Sequence, residues 1–210
     1  MARPGRNIEQ VLLRSGRLLY PARGSAGLSV RALTEHAGVN VGMFHYHFPS
    51  KDAFLRELLQ QYYEEMFGPL SERVRDEGPP LERLRQALLF LATFVRDHEA
   101  MLGRVFADAS GGDAVAAEFL RANAPRHLRL LIALMNEAEA AGALAPLPKL
   151  QRFVFTMGAV ALPLVVVPHI ARLQIAPALV GRQLKRQVTS DEAIAQRVEL
   201  ALAALQKGTG

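Results

Sequence analysis

Apolar residues recur along this chain at spacings of three and four, and no stretch between turn signals alternates apolar with polar residues at period two. Stripes written that way are buried by packing helix on helix, so the expected fold class is all-α. At 210 residues, half of them apolar, the chain can bury one substantial core or two smaller ones. It has no cysteine and no tryptophan, which removes disulfides, thiolate metal sites and cysteine nucleophiles from consideration. Its basic first residues run into polar ones where an export signal needs an apolar stretch, so a cytoplasmic location is expected.

Local signals place the helices. Asn7 can start one that reaches Tyr20, with Ile8, Leu12, Leu19 and Tyr20 near one face and Pro21 and Gly24 as its end. Ser29 caps a short helix over 30–37, where Val30, Leu33 and Ala37 fall at i, i+3 and i+7, and Gly38 stops it. Asn40 caps a third over 41–48, with Phe44 and Phe48 inward at i, i+4. Ser50 caps a fourth running through Leu55, Leu58, Leu59, Tyr62 and Met66, with a break expected at Gly68-Pro69. Later helices are expected at about 81–97, 98–109, 113–141 with an interruption near Pro125, 148–171 and 190–206; residues 172–188 are a basic connector without an assignment.

The net charge of +5 is segregated. Residues 1–51 hold seven basic side chains (Arg3, Arg6, Arg14, Arg17, Arg23, Arg31, Lys51) against Glu9 and Glu35, while the remaining 159 residues balance 18 basic against 18 acidic groups. A basic module at one end is the footprint of a polyanion partner, because each neutralised phosphate releases condensed counterions.

Two short helices joined by a glycine-containing turn make a helix-turn-helix. In the second, Val41/His45 and Gly42/Tyr46 lie at i, i+4 on a face away from Phe44 and Phe48, so one face packs while the other is free to enter a major groove. Ser29 and Asn40 sit at helix N-termini, where backbone N–H groups favour anions. Lys51 opens the fourth helix against the macrodipole, a penalty that a nearby phosphate would remove.

The stretch Leu33-Thr-Glu-His-Ala-Gly-Val-Asn-Val-Gly-Met-Phe-His-Tyr-His-Phe-Pro-Ser-Lys-Asp-Ala-Phe-Leu55 resembles the signature of the TetR/AcrR family of bacterial transcriptional regulators. The likeness spans roughly residues 8–66 and rests on Ala37-Gly38-Val39, the aromatic run 44–48 and Lys51 in order; Gly142-Ala-Leu144 followed by Pro146 resembles the family's turn before its dimerisation helices. It implies a three-helix DNA-binding domain over 1–50, with a basic N-terminal arm, and a helical ligand-binding and dimerisation domain over 51–210. Arg31, Asn40, Tyr46 and Lys51 would hold phosphates; Val41, Gly42, Met43 and His45 would face bases or the groove wall. Arg3 and Arg6 would lie near the minor groove or adjoining backbone. Two departures stand out: Ser15-Gly16 where the family usually has two alanines, and His45 where it usually has tyrosine.

The expected function is therefore a ligand-responsive repressor that binds a palindromic operator as a homodimer. The alternative is a DNA-binding protein of the same fold with a structural or cell-division role. No catalytic residue, cofactor or metal site is expected: no nucleophile elbow, phosphate loop or paired-carboxylate frame is present, and His45 and His47, two apart, point about 200° apart on a helix. Phe90, Phe94, Phe106, Met135, Phe153 and Met157 are candidates to line a pocket for an apolar or amphipathic effector. The fifteen uncharged residues 153–167, bounded by Arg152 and interrupted by Pro163, fall short of the ~20 a membrane span needs, and are assigned to a subunit interface.

Overall fold

The computed structural model describes residues 4–172, 183 and 185–206. Every regular element among them is helical, as expected: α1 (Pro4–Gly27), α2 (Val30–Ala37), α3 (Val41–His47), α4 (Lys51–Arg75), α5 (Pro80–Asp97), α6 (Glu99–Ser110), α7 (Ala114–Ala140), α8 (Lys149–Val160), α9 (Leu162–Arg172) and α10 (Asp191–Leu205), with a π-helical turn at Lys185–Thr189. Most of the connector 172–188 lies outside the described residues. The chain forms two compact units, Met1–Glu65 with Ala100–Ala124, and Met66–Glu99 with Pro125–Gly210.

In the first unit α1 packs on α2 and α3, and α2 packs on α3. The short helices exist because their ends are satisfied: Ser29 Oγ accepts from Ala32 N–H at 3.1 Å and Asn40 Oδ1 from Met43 N–H at 2.9 Å. Gly38 closes α2 at φ 68°, ψ 30°, with Val39 N–H bonded back to Thr34 O. Leu12, Leu13, Leu28, Leu33, Phe44, Phe54 and Leu58 form the core, each no more than 1% exposed. α1 does not stop at Pro21. A proline inside a helix forfeits one hydrogen bond, which the buried flank of Tyr20 and Leu28 outweighs, and the bend falls instead at Gly24 (φ 64°, ψ −177°), a conformation open to glycine alone without strain.

In the second unit α10 packs on α5 and α8, and α9 on α5 and α8. Ser190 Oγ caps α10 by accepting from Ala193 N–H, and Ala145 N–H bonds Leu205 O at 2.7 Å. Three expectations are corrected. α4 continues through Gly68-Pro69 because Met66, Leu70 and Val74 keep one buried stripe, and α7 is continuous through Pro125. The helix expected over 148–171 divides at Ala161: Pro163 has no N–H to offer the carbonyl four residues back, and Leu164 N–H turns to Ala161 O at 3.1 Å.

Lys149–Pro168 reaches twenty residues with a mean hydropathy of 1.8, enough by length and composition alone to cross a membrane, so shortness is not an argument against a span. The physical argument is the arginine inside it. Arg152 is 1% exposed, donates to Met135 O at 2.7 Å and Leu147 O at 3.0 Å, and pairs with Glu139, holding α8 to α7.

Candidate nucleic-acid interface

The third helix is supported from beneath by rings. Phe44 lies 5.5 Å from Phe48 and 5.6 Å from Phe54, and Phe48 meets Phe54 edge-on at 5.0 Å, all three buried. Phe54 needs room that α1 provides: a Cβ on Gly16 would stand 2.6 Å from Phe54 Cζ. The departure from alanine at position 16 is thereby explained by packing.

That support turns the opposite face of α3 outward. Val41 is 46% exposed and Tyr46 79%, Gly42 and His45 are exposed between them, and Met43 is half-buried. A Cβ on Gly42 would meet nothing except Asn40 Oδ1, so no neighbour in the fold demands glycine there. Ser29 and Asn40 are exposed at the N-termini of α2 and α3, with their oxygens engaged as caps. Arg31, its side chain 84% exposed, is partnered along α2 by Glu35 at 2.7 Å. Arg6 lies in the first turn of α1, and Arg3 lies outside the described residues.

Lys51 is more constrained than its position suggested. Its Nζ donates to Ser25 O at 2.9 Å, at the end of α1. Ser25 N–H in turn donates to Asp108 Oδ2 on α6 at 2.8 Å, and Arg104 donates to Asp108 Oδ1 through Nε and a terminal nitrogen at 2.9 and 2.7 Å. Burial alone would raise the Asp108 carboxyl, but the hydrogen bonds from Ser25 N–H and Arg104, with the Arg104 charge beside it, outweigh it and hold the group below its ordinary pKa. Burial first, and the Asp108 carboxylate second, push the Tyr20 hydroxyl well above its own. Sequence reasoning missed Asp108 and Ser25. The available signal was a carboxylate on the apolar stripe of α6, where Met101, Val105 and Asp108 fall at i, i+4 and i+7.

The pocket candidates fall in both units. Phe106 belongs to the first unit and is 56% exposed. In the second, Phe90 and Phe94 lie 6.2 Å apart on α5, with Arg73 4.3 Å over Phe90 and His98 stacked 4.0 Å from Phe94. Met135 is fully buried on α7, while Phe153 and Met157 are half-buried on α8. A groove of about 570 Å³ in this unit, lined by the charged residues Glu72, Arg73, Asp76, Glu82 and Arg83 among others, includes none of them.

Residues 12–58 match the family described as bacterial regulatory proteins, tetR family. Those residues belong to that family. The chain is 28% identical over 116 residues to the HTH-type transcriptional repressor DhaR of Mycobacterium sp. (strain GP1), covering 54% of itself and 59% of DhaR. Over 93 residues it is 31% identical to the HTH-type transcriptional repressor KstR2 of Mycobacterium tuberculosis, covering 43% of itself and 46% of that protein. The chain thus spans about half the length of these curated relatives. The fold is shared with the ketosteroid transcriptional regulator KstR2 of M. tuberculosis (TM-score 0.70, 18% identity, 95% of each chain). It is shared equally with FadR of Bacillus subtilis, solved with stearoyl-CoA (TM-score 0.70, 12% identity, 94% of this chain and 99% of that one).

Proposed function

We propose that this chain is a ligand-responsive transcriptional repressor that binds a palindromic operator as a homodimer. The observation that carries the reading is the outward face of α3: Val41, Gly42, His45 and Tyr46 are exposed on a helix whose other face is locked by three phenylalanines, within the segment that holds all of the excess positive charge. Residues 1–50 would read DNA and residues 51–210 would bind effector and dimerise. Arg31, Asn40, Tyr46 and Lys51 would hold phosphates, with Ser29 beside them, while Val41, Gly42, Met43 and His45 meet base edges and Arg3 and Arg6 extend to the neighbouring groove. Valine, glycine and methionine offer no bidentate donors, so thymine methyl contacts and DNA shape would carry much of the specificity.

Dimerisation is supported by the apolar side chains that the second unit leaves uncovered: Leu150 (70% exposed), Val154 (59%), Phe155 (44%) and Leu162 (57%) on α8 and α9, with Leu200 (64%) on α10. That face suits a second copy of the chain better than a membrane. A cytoplasmic location follows from the same reading. An apolar or amphipathic effector is supported by the ketosteroid and stearoyl-CoA in the names of the two structural neighbours. The repressor names of DhaR and KstR2 favour promoter control over a structural or cell-division role. The reading contains no catalytic step, cofactor or metal.

Selection of duplexes from a random pool by the purified protein, followed by footprinting upstream of its own gene, tests the first half. Enrichment of a palindrome is the expected result, and absence of any enriched sequence would overturn it. Titrating acyl-CoA and steroid panels with and without the selected duplex tests the second half, since an inducer's affinity and the DNA's must fall by the same factor.

A further inference from the structure

Ser25 is held at both ends of its backbone by side chains. Its N–H is released from helical bonding by the Gly24 bend and goes to Asp108 on α6; its carbonyl receives the Lys51 ammonium. We infer that Asp108 is a positioning residue for DNA binding, which fixes Ser25 after the bend and thereby aims Lys51 at a phosphate. The inference rests on the proposed role of Lys51 as a phosphate ligand.

The bend itself is built around Asp108. A Cβ on Gly24 would lie 2.6 Å from Arg104 Nε and 2.8 Å from Asp108 Oδ1, so the arginine-carboxylate pair is seated directly on the backbone at that residue. Asp108 is 8% exposed, too enclosed to serve as a surface charge, and Arg104 balances it, so the carboxylate positions Ser25 without presenting net negative charge to DNA. A lysine side chain ends in a point charge on a flexible four-carbon stem and has three donors. Spending one donor on Ser25 O leaves two for a phosphate and removes most of the stem's freedom before DNA arrives. The unperturbed alternative is a lysine that must be ordered during binding, with loss of affinity.

The experiment uses the full chain and reads two quantities. The first is the mobility of the Lys51 Nζ group by ¹⁵N relaxation without DNA. Asp108→Ala should free it. Asp108→Asn combined with Arg104→Met, which restores an accepting oxygen and removes the donor facing the amide nitrogen, should return it toward wild type. The second is affinity for the duplex selected by the wild-type protein. Asp108→Ala should weaken binding roughly three- to tenfold per dimer in the Lys51 background, from the restored freedom of two lysines, and less than about twofold when Lys51 is already methionine. Equal losses in both backgrounds would show that Asp108 merely supports the fold and would overturn the inference, as would a Lys51 ammonium equally ordered in Asp108→Ala. If Asp108→Ala fails to fold, the Asn/Met double variant and the mobility comparison still decide. Ordering of Lys51 by Asp108 with no DNA affinity in any variant would instead overturn the DNA-binding reading.

Discussion

Replacing Gly16 by the alanine usual in the family should destabilise this protein, against the direction that helix propensity alone predicts. Alanine at a helical glycine gains about 1 kcal/mol from backbone entropy. Here the added methyl would stand 2.6 Å from Phe54 Cζ and 3.1 Å from Leu58 Cδ2. Relief requires the ring tip to retreat by roughly 1 Å to reach ordinary contact, yet Phe54 is 0% exposed and boxed by Phe44 and Phe48. Overpacking of such a core costs up to about 3 kcal/mol, so the net expectation is a loss of about 1–2 kcal/mol. For a chain of this length that lowers Tm by roughly 3–6 °C at fixed protomer concentration. Shortening the ring in the double variant Gly16→Ala/Phe54→Leu should recover at least about 1 kcal/mol relative to additivity. Denaturant melts of the four proteins supply the cycle. A Gly16→Ala protein as stable as wild type, or more so, would refute the claim that Phe54 takes this space, and with it the account of how α3 is held.

Lys51→Met should shallow the log–log salt dependence of operator binding by about 2 per dimer while leaving the selected sequence unchanged; an unchanged slope would remove Lys51 from the phosphate contacts. Val154→Arg should convert a dimer at micromolar concentration to monomer in sedimentation, by about 3 kcal/mol or more, and an undisturbed dimer would place the interface elsewhere. Stability should fall at both pH extremes through one cluster. Asp108, held below its ordinary 3.8, contributes stability above that value which is lost as pH falls toward the folded pKa. Tyr20, held above its ordinary 10.0, contributes stability below pH 10 which is lost as pH rises beyond it. Tyr20→Phe should make the alkaline limb shallower, leaving the share of Tyr62, which burial also raises, measured by melts from pH 8 to 11; an unaltered limb would assign it to other groups.

The parts of the fold that were legible are those written in neighbouring residues. The limits of α2 and α3 follow from Ser29, Gly38 and Asn40, whose side chains or backbone bond within four positions. The exposed face of α3 follows from the spacing of Phe44 and Phe48. Ends set by competition were misplaced. Pro21, Pro69 and Pro125 each cost a helix one bond but sit beside buried stripes that continue it, whereas Pro163 ends a helix within a segment that hydropathy alone reads as one. The placement of Lys51 was legible as a helix start, but not its partner. Ser25 lies 26 residues away and Asp108 a further 83, within a run of small residues that carries no motif.

That 83-residue separation has a consequence for how the molecule is made. At about 5–20 residues per second, a ribosome that has finished Ser25 needs roughly 4–17 s to add Asp108. Throughout that interval the Gly24 bend has no carboxylate to close on, and Ser25 N–H is left to water. The compact unit that holds the helix-turn-helix is complete only once Ala100–Ala124 has joined Met1–Glu65. A helix-turn-helix cut after Glu65 would therefore lack the carboxylate that holds Ser25 and leave Lys51 on an unanchored carbonyl, and a graft that keeps this anchor has to bring α6 along.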